Sequence, residues 1–202
     1  MQKDLKDLLI DELHDILSAE EQIVKALPAM VTASESPDLK KAFGAHLKET
    51  KGQVRRLAKV FKLLKVKKQK KFCKAMHGLI EECKEVLKDY KVKSPVRDAA
   101  FISKAQRIEH YEIAAYGTVY TFANELGFDA VADLLQETLD EEGNADKKLT
   151  KIAEGGFFKK GINIKANEPK TTKLKQPKKK AAAPKKAPKK TPTKTKSKRK
   201  SK

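Results

Sequence analysis

Four glutamates are spaced so that each falls in the apolar seam of a different long helix, where a carboxylate either keeps its proton or binds a cation. Around Glu20 the seam reads Leu13, Ile16, Glu20, Ile23, Leu27. Around Glu49 it reads Phe43, His46, Glu49 or Thr50, Gln53, Leu57, Val60. Around Glu112 it reads Ala105, Ile108, Glu112, Ala115, Val119, and around Glu142 it reads Leu135, Thr138, Glu142, Ala145, Leu149. Steps of three and four keep side chains on one buried helix face. Burying a lone carboxylate is costly unless it is protonated, hydrogen-bonded or bound to a cation. Four such helices packed together would bring the acids to one place, and a metal ion would satisfy them. Iron and manganese are the natural candidates, because hard and borderline ions take oxygen ligands, often with imidazole.

Neighbouring residues extend the candidate set. Glu109 stands one turn before Glu112, His46 and Gln53 flank Glu49 by one turn, and Asp146 follows Glu142 by one turn. Glu21 and Glu141 replace Glu20 and Glu142 if the helix phase differs slightly. His110 adjoins Glu109, whereas His14 and His77 read as surface or boundary residues. Tyr111, Tyr116 and Tyr120 read first as core aromatics, with redox chemistry or the fixing of a carboxylate as the alternative.

The elements that must position these groups are helices. The first is predicted over residues 3–33, with Pro28 kinking or ending it. Ser36-Pro37-Asp38 starts a second, which runs to about residue 65, since serine caps and proline suits the first helical position. Phe72, Met76, Leu79, Cys83, Val86 and Tyr90 mark a shorter helix in a long crossover. Ser94-Pro95 opens another long helix, ending near Leu126-Gly127, where glycine suits the helix C-terminus. Asp129 is expected to cap the last long helix, which stops at Gly155-Gly156. Residues 157–166 suit an extended edge or packed coil. The fold class is therefore all-α: a four-helix bundle with one extra helix in the crossover.

Charge divides the 202-residue chain into two parts. The formal net charge is +19, yet residues 169–202 hold 16 Lys and Arg and no acid, leaving 30 basic against 27 acidic residues elsewhere. All eight Phe and four Tyr precede residue 159. Residues 1–166 thus read as one globular domain, and residues 167–202 as a disordered polycation rich in Lys, Pro and Ala. Its basic groups, Lys178, Lys179, Lys180, Lys185, Lys186, Lys189, Lys190, Lys198, Arg199 and Lys200 among them, suit the phosphates of DNA. Such contact is sequence-independent and weakens steeply with salt. Cys73 and Cys83, ten residues apart on one helix, lie about 15 Å apart, too far for a bridge. With no apolar leader or membrane-length run, the expected setting is a reducing cytoplasm, with no membrane partner.

In several stretches the chain resembles the YciE/YciF family of ferritin-like stress proteins. These are Asp-Glu-Leu-His-Asp-Ile-Leu-Ser-Ala-Glu-Glu-Gln (11–22), His-Leu-Lys-Glu-Thr-Lys-Gly-Gln-Val-Arg-Arg-Leu (46–57) and Ala-Met-His-Gly-Leu-Ile-Glu-Glu (75–82). Two more are Ile-Glu-His-Tyr-Glu-Ile-Ala-Ala-Tyr-Gly (108–117) and Glu-Thr-Leu-Asp-Glu-Glu (137–142). The resemblance covers residues 1–166. It implies a ferritin-like bundle, a homodimer or larger, with a dinuclear metal centre in which Glu20, Glu49, Glu109, Glu112 and Glu142 are ligand positions. The tail is similar instead to the Lys-Pro-Ala tails of linker histones and histone-like bacterial proteins. One departure stands out: Gly52 and Ala145 occupy the places three residues after Glu49 and Glu142 where ferroxidases and rubrerythrin-like enzymes carry histidine. The expected function is stress protection by an iron- or manganese-binding bundle held on DNA near the nucleoid, with weak oxidase- or peroxidase-type turnover at most. Two rivals stand beside it: a metal-free architectural DNA-compacting protein, and a di-metal oxidoreductase consuming peroxide or oxygen.

Overall fold

The computed structural model describes residues 3–156 and 159–168. Four long helices carry the fold: α1 (Leu5–Ala33), α2 (Pro37–Leu63), α4 (Pro95–Glu125) and α5 (Asp129–Glu154). The crossover between α2 and α4 holds α3 (Lys74–Asp89), which lies against α1 and α4. Short turns make α1–α2 and α4–α5 into two hairpins, and α1 packs on α4 while α2 packs on α5. The result is the all-α four-helix bundle expected from the seam pattern. The chain's last described elements are a two-residue antiparallel ladder, β1 (Gly155–Gly156) with β2 (Lys159–Lys160), and a short α6 (Ile162–Asn167) packed on α4 and α5. These elements take the place of the extended edge or coil expected there. A side chain at Gly155 (φ 83°) would bring its Cβ within 2.2 Å of the Gly161 nitrogen, so this crossing requires glycine. The basic residues assigned to DNA, and the tail that carries them, lie outside the described residues.

Local sequence accounts for the helix boundaries. Asp4 and Asp7 form a reciprocal capping box, and Ser36 and Ser94 cap α2 and α4 with proline next in line. Of the two roles open to Pro28, ending the helix is not the one it takes, and α1 runs to Ala33, the expected limit. The exposed proline ring spoils one turn at the surface, and Ser34 closes the helix by donating from Oγ to the Met30 carbonyl at 2.8 Å. One expectation needs correction: Asp129 is not the cap of α5. Phe128 occupies that place with no side-chain bond, and Asp129 lies in the first turn, where its charge favours the helix N-terminus.

The core comes in two apolar halves. One holds Ile23, Leu27, Leu39, Phe43, Met76, Ile80, Phe101, Ala105, Ile108 and Leu149. The other holds Leu9, Leu13, Ile16, Leu57, Val60, Phe61, Val119, Val131 and Leu135. Between them, on all four long helices, lies a buried polar layer. Among the described residues, no helix is long and apolar enough to cross a membrane.

One end of the bundle is tied by adjacent residues at the start of α4. Buried Arg97 donates to the carbonyls of Ala33 and, at 3.2 Å, Tyr90. Buried Asp98 accepts from the backbone N–H groups of Glu35 (2.9 Å) and Ser36 (2.6 Å). Removing the carboxylate strands two part-buried donors at the α1–α2 turn. Asp98→Ala is therefore expected to lower unfolding free energy by about 2–4 kcal/mol, read as a reduced urea midpoint with unchanged slope.

Candidate metal centre

Every long helix sends polar side chains into the layer between the two apolar halves. α1 supplies Glu20, α2 supplies His46, Thr50 and Gln53, α4 supplies Glu109 and Glu112, and α5 supplies Thr138 and Glu142; all are buried. One potential ligand atom each from His46, Glu109, Glu112 and Glu142 lies within 4.8 Å of the others. Glu20 belongs to the same interior. Its Oε1 accepts from the hydroxyl of Tyr116, while Gln53 Nε2 donates to Glu142 Oε1. The decisive feature is what remains. Glu20 Oε2, Glu109 Oε2, Glu112 Oε2, Glu142 Oε2, Gln53 Oε1 and both His46 ring nitrogens have no hydrogen-bond partner among the described residues. Buried polar atoms are rarely left so, and these could be satisfied by a bound cation or by protons shared between carboxyl groups, as between Glu109 and Glu142. Carboxylate oxygens and an imidazole are a donor set that could hold a metal ion.

Burial dominates the proton affinities. Desolvation pushes Glu112 and Glu142 well above the ordinary carboxylate range, followed by the charges of Glu142, Glu20 and Glu109 on Glu112, and of Glu109 and Glu20 on Glu142. Desolvation also raises Glu20, to about 8, although Tyr116 and His46 oppose it. Glu109 is raised by burial and partly restored by His46. Burial pulls the His46 imidazole down, but Glu109, Glu49 and Glu20 together outweigh it and leave it above its usual value. His46 and Glu109, 3.5 Å apart, thus compete for one proton. Without a cation, the layer holds its charge in check by keeping protons.

The buried layer contains Glu20, Glu109, Glu112, Glu142, His46 and Gln53 from the sequence reading. It does not contain Glu49, and the expectation that Glu49 lies in the buried seam is corrected. The α2 seam passes through Thr50, and the Glu49 side chain is 44% exposed, its Oε2 3.8 Å from His46 Nδ1. Asp146 also stands aside, accepting from Gln106 at 2.9 Å and facing exposed His110 at 3.4 Å. Glu21 is exposed, and half-buried Glu141 lies at the edge of the layer, accepting from Gln53 Nε2 at 3.0 Å and pairing with Arg56. Of the tyrosines, Tyr116 fixes a carboxylate, whereas Tyr111 bonds Asp15 (2.8 Å) and Cys73 Sγ (3.0 Å). Arg56 escaped the sequence reading. It is 11% exposed and clamps α2 to α5 through Glu137, Glu141 and the Thr138 hydroxyl. The signal was present in the acid-rich Glu137–Glu142 run opposite two successive arginines.

Comparison with known proteins agrees with this architecture. A family model described as a domain of unknown function (DUF892) matches residues 4–163. The Escherichia coli K12 protein YciF is 46% identical over 164 residues, covering 80% of this chain and 97% of that protein. Its crystal structure, described as that of a stress protein, superposes with a TM-score of 0.72 over 74% of this chain and 94% of YciF. YcfI of Rhodopseudomonas palustris gives a TM-score of 0.71 at 42% identity, covering 75% of this chain and 96% of its own. A Xanthomonas campestris protein at 19% identity (TM-score 0.59) shares the fold.

The raised carboxyl groups set a pH dependence. A folded-state pKa above the unfolded value means the native chain binds the extra proton, so stability is full below the ordinary carboxylate range. It is lost as pH rises through the raised value, by about 1.4 kcal/mol for each pH unit of displacement. Chelator-treated protein is expected to melt at progressively lower temperature between pH 5 and pH 8, the window that Glu20 at about 8 defines. Glu112→Gln should flatten that decline.

Proposed function

The chain belongs to the DUF892 family, and on that footing we propose that its bundle holds two iron or manganese ions in a stress-protection protein that its basic tail keeps on DNA. The reading rests chiefly on the convergence of His46, Glu109, Glu112 and Glu142, each with a buried, unpartnered donor atom, in the polar layer. Charge supports two ions: Glu20, Glu109, Glu112 and Glu142, when ionised, are balanced by two divalent cations, with His46 as a neutral donor. Those five residues would hold the ions, which when bound supply Lewis acidity and redox chemistry toward peroxide or oxygen.

The chain's own residues do the rest. Tyr116 holds one oxygen of Glu20 and so aims the other inward. Gln53 orients Glu142, and the Arg56 clamp fixes α2 against α5, keeping His46 in register with Glu142. The apolar clusters on either side keep water out and strengthen each charge interaction within. With glycine and alanine at 52 and 145, the centre has a single imidazole, a set suited to holding ions more than to rapid turnover. Stress protection is carried over from the E. coli relative, described as a stress protein. The DNA tether rests on the 16 unopposed charges of residues 169–202, which begin after the family match ends at residue 163. Cytoplasmic placement at the nucleoid follows from that tether, and a homodimer or larger assembly would add several tails to one particle.

Two experiments test this. Protein purified without chelator is expected to carry about two iron or manganese ions per chain, the number held by di-metal bundles. Glu112→Ala combined with Glu142→Ala should abolish that content. An unchanged metal content would remove the site, and none in the parent would leave an architectural body. Deleting residues 169–202 should abolish retention of duplex DNA at low salt, and the full chain's affinity should fall steeply as salt rises. Retention by the shortened chain would assign DNA binding elsewhere.

A further inference from the structure

The interior centre is enclosed on most sides. Apolar clusters close it above and below, and the Arg56 clamp closes part of the α2–α5 seam. Behind His46 lies an apolar void of about 10 Å³ walled by residues such as Ile23, Leu27 and Ile108, too small to pass a hydrated ion. On the other flank the structure opens. A cleft of about 130 Å³ between α2 and α5 runs inward past Glu49, Glu141, Ala145 and Lys148, and ends on His46 and Glu109.

We propose that this cleft is the port through which a divalent cation enters and leaves the centre, with Glu49 collecting it at the mouth and His46 passing it to Glu109. The inference rests on the metal-centre reading above and adds the route. The spacing forms a relay: exposed Glu49 lies 3.8 Å from His46 Nδ1, and His46 Nε2 lies 3.5 Å from Glu109 Oε1. The His46 side chain is 8% exposed, and neither ring nitrogen has a hydrogen-bond partner among the described residues. A neutral imidazole offers a lone pair at one ring nitrogen only, so with the ring proton on Nδ1, toward Glu49, the ion that Glu49 collects passes along the cleft to Nε2, beside Glu109. The route also gives Glu49 a part that its exposure otherwise leaves unexplained. Lys148, exposed at the mouth, repels an arriving cation and so slows its passage.

The test uses the full chain stripped of metal by chelator, with Co2+ as the probe. Filling is followed by visible absorption after rapid mixing, and final content is measured by elemental analysis. Glu49→Gln is expected to slow filling on the order of fivefold, the effect of one charge on a divalent ion at short range in salt. Lys148→Gln should accelerate it, and Ala145→Phe, which plugs the cleft, should slow it most. All three should reach the parent's final Co2+ content. Should Ala145→Phe fail to fold, the opposite shifts expected from the two surface variants still decide the matter. If the parent fills and the variants fill at its rate, the port is refuted while the centre stands. If Glu49→Gln lowers the final content, Glu49 is a ligand and the relay is wrong. A parent that takes up no Co2+ overturns the centre itself, and the port with it.

Discussion

The constraint on which the structure depends is the desolvation of four carboxylates in one layer. An ionised group loses most of its hydration when it is buried, and here Glu20, Glu109, Glu112 and Glu142 lose it together, within reach of one another's charge. Ordinary core packing removes such groups. This bundle instead divides its apolar core in two and places them between the halves. Tyr116 and Gln53 each satisfy one oxygen and leave another bare. Hydrogen bonding thus orients the acids without neutralising them, as expected of a site prepared for a cation rather than of a self-sufficient polar network.

The same constraint explains where rigidity is concentrated. Arg56 ties α2 to α5 at the level of the layer, and Arg97 with Asp98 ties the α1–α2 turn to the start of α4. Both sets of contacts cross between hairpins, where apolar packing alone would allow sliding. A shift of one helix by even an ångström would separate donors brought together from three elements, so contacts distant from the layer still serve its geometry. At the mouth of the cleft, by contrast, Glu49 and Lys148 are exposed and lightly held, which suits residues that meet arriving ions.

Much of this was legible in the sequence, for a physical reason. On α1, α4 and α5 the acids at 20, 112 and 142 sit in seams whose flanking positions are clearly apolar, so the helical period placed them inside. On α2 the pattern is ambiguous between Glu49 and Thr50, because steps of three and of four from His46 both lead on to Gln53. Packing chose Thr50, and imidazole became that helix's contribution to the cluster. Tyr116 and Tyr111 could not be ranked from spacing, since both are aromatic and near the seam; their roles depend on what faces them across helices. Asp129 does not cap its helix, because a single residue's preference yields to the packing of a long amphipathic helix. Arg56 and the Arg97–Asp98 tie lie in interactions between segments far apart in the chain, which periodicity does not register.

The central claim proposed for this interior is exchange between two conditions, protons held on the acids or cations held between them. The most direct test is a crystal grown with Mn2+ and measured for anomalous scattering. The account predicts strong peaks inside the polar layer, in contact with Glu109, Glu112, Glu142 and His46, with Glu20 completing the site. An interior with no anomalous peak, its carboxyl groups paired with one another or with water while the metal lies only on the surface, would contradict it.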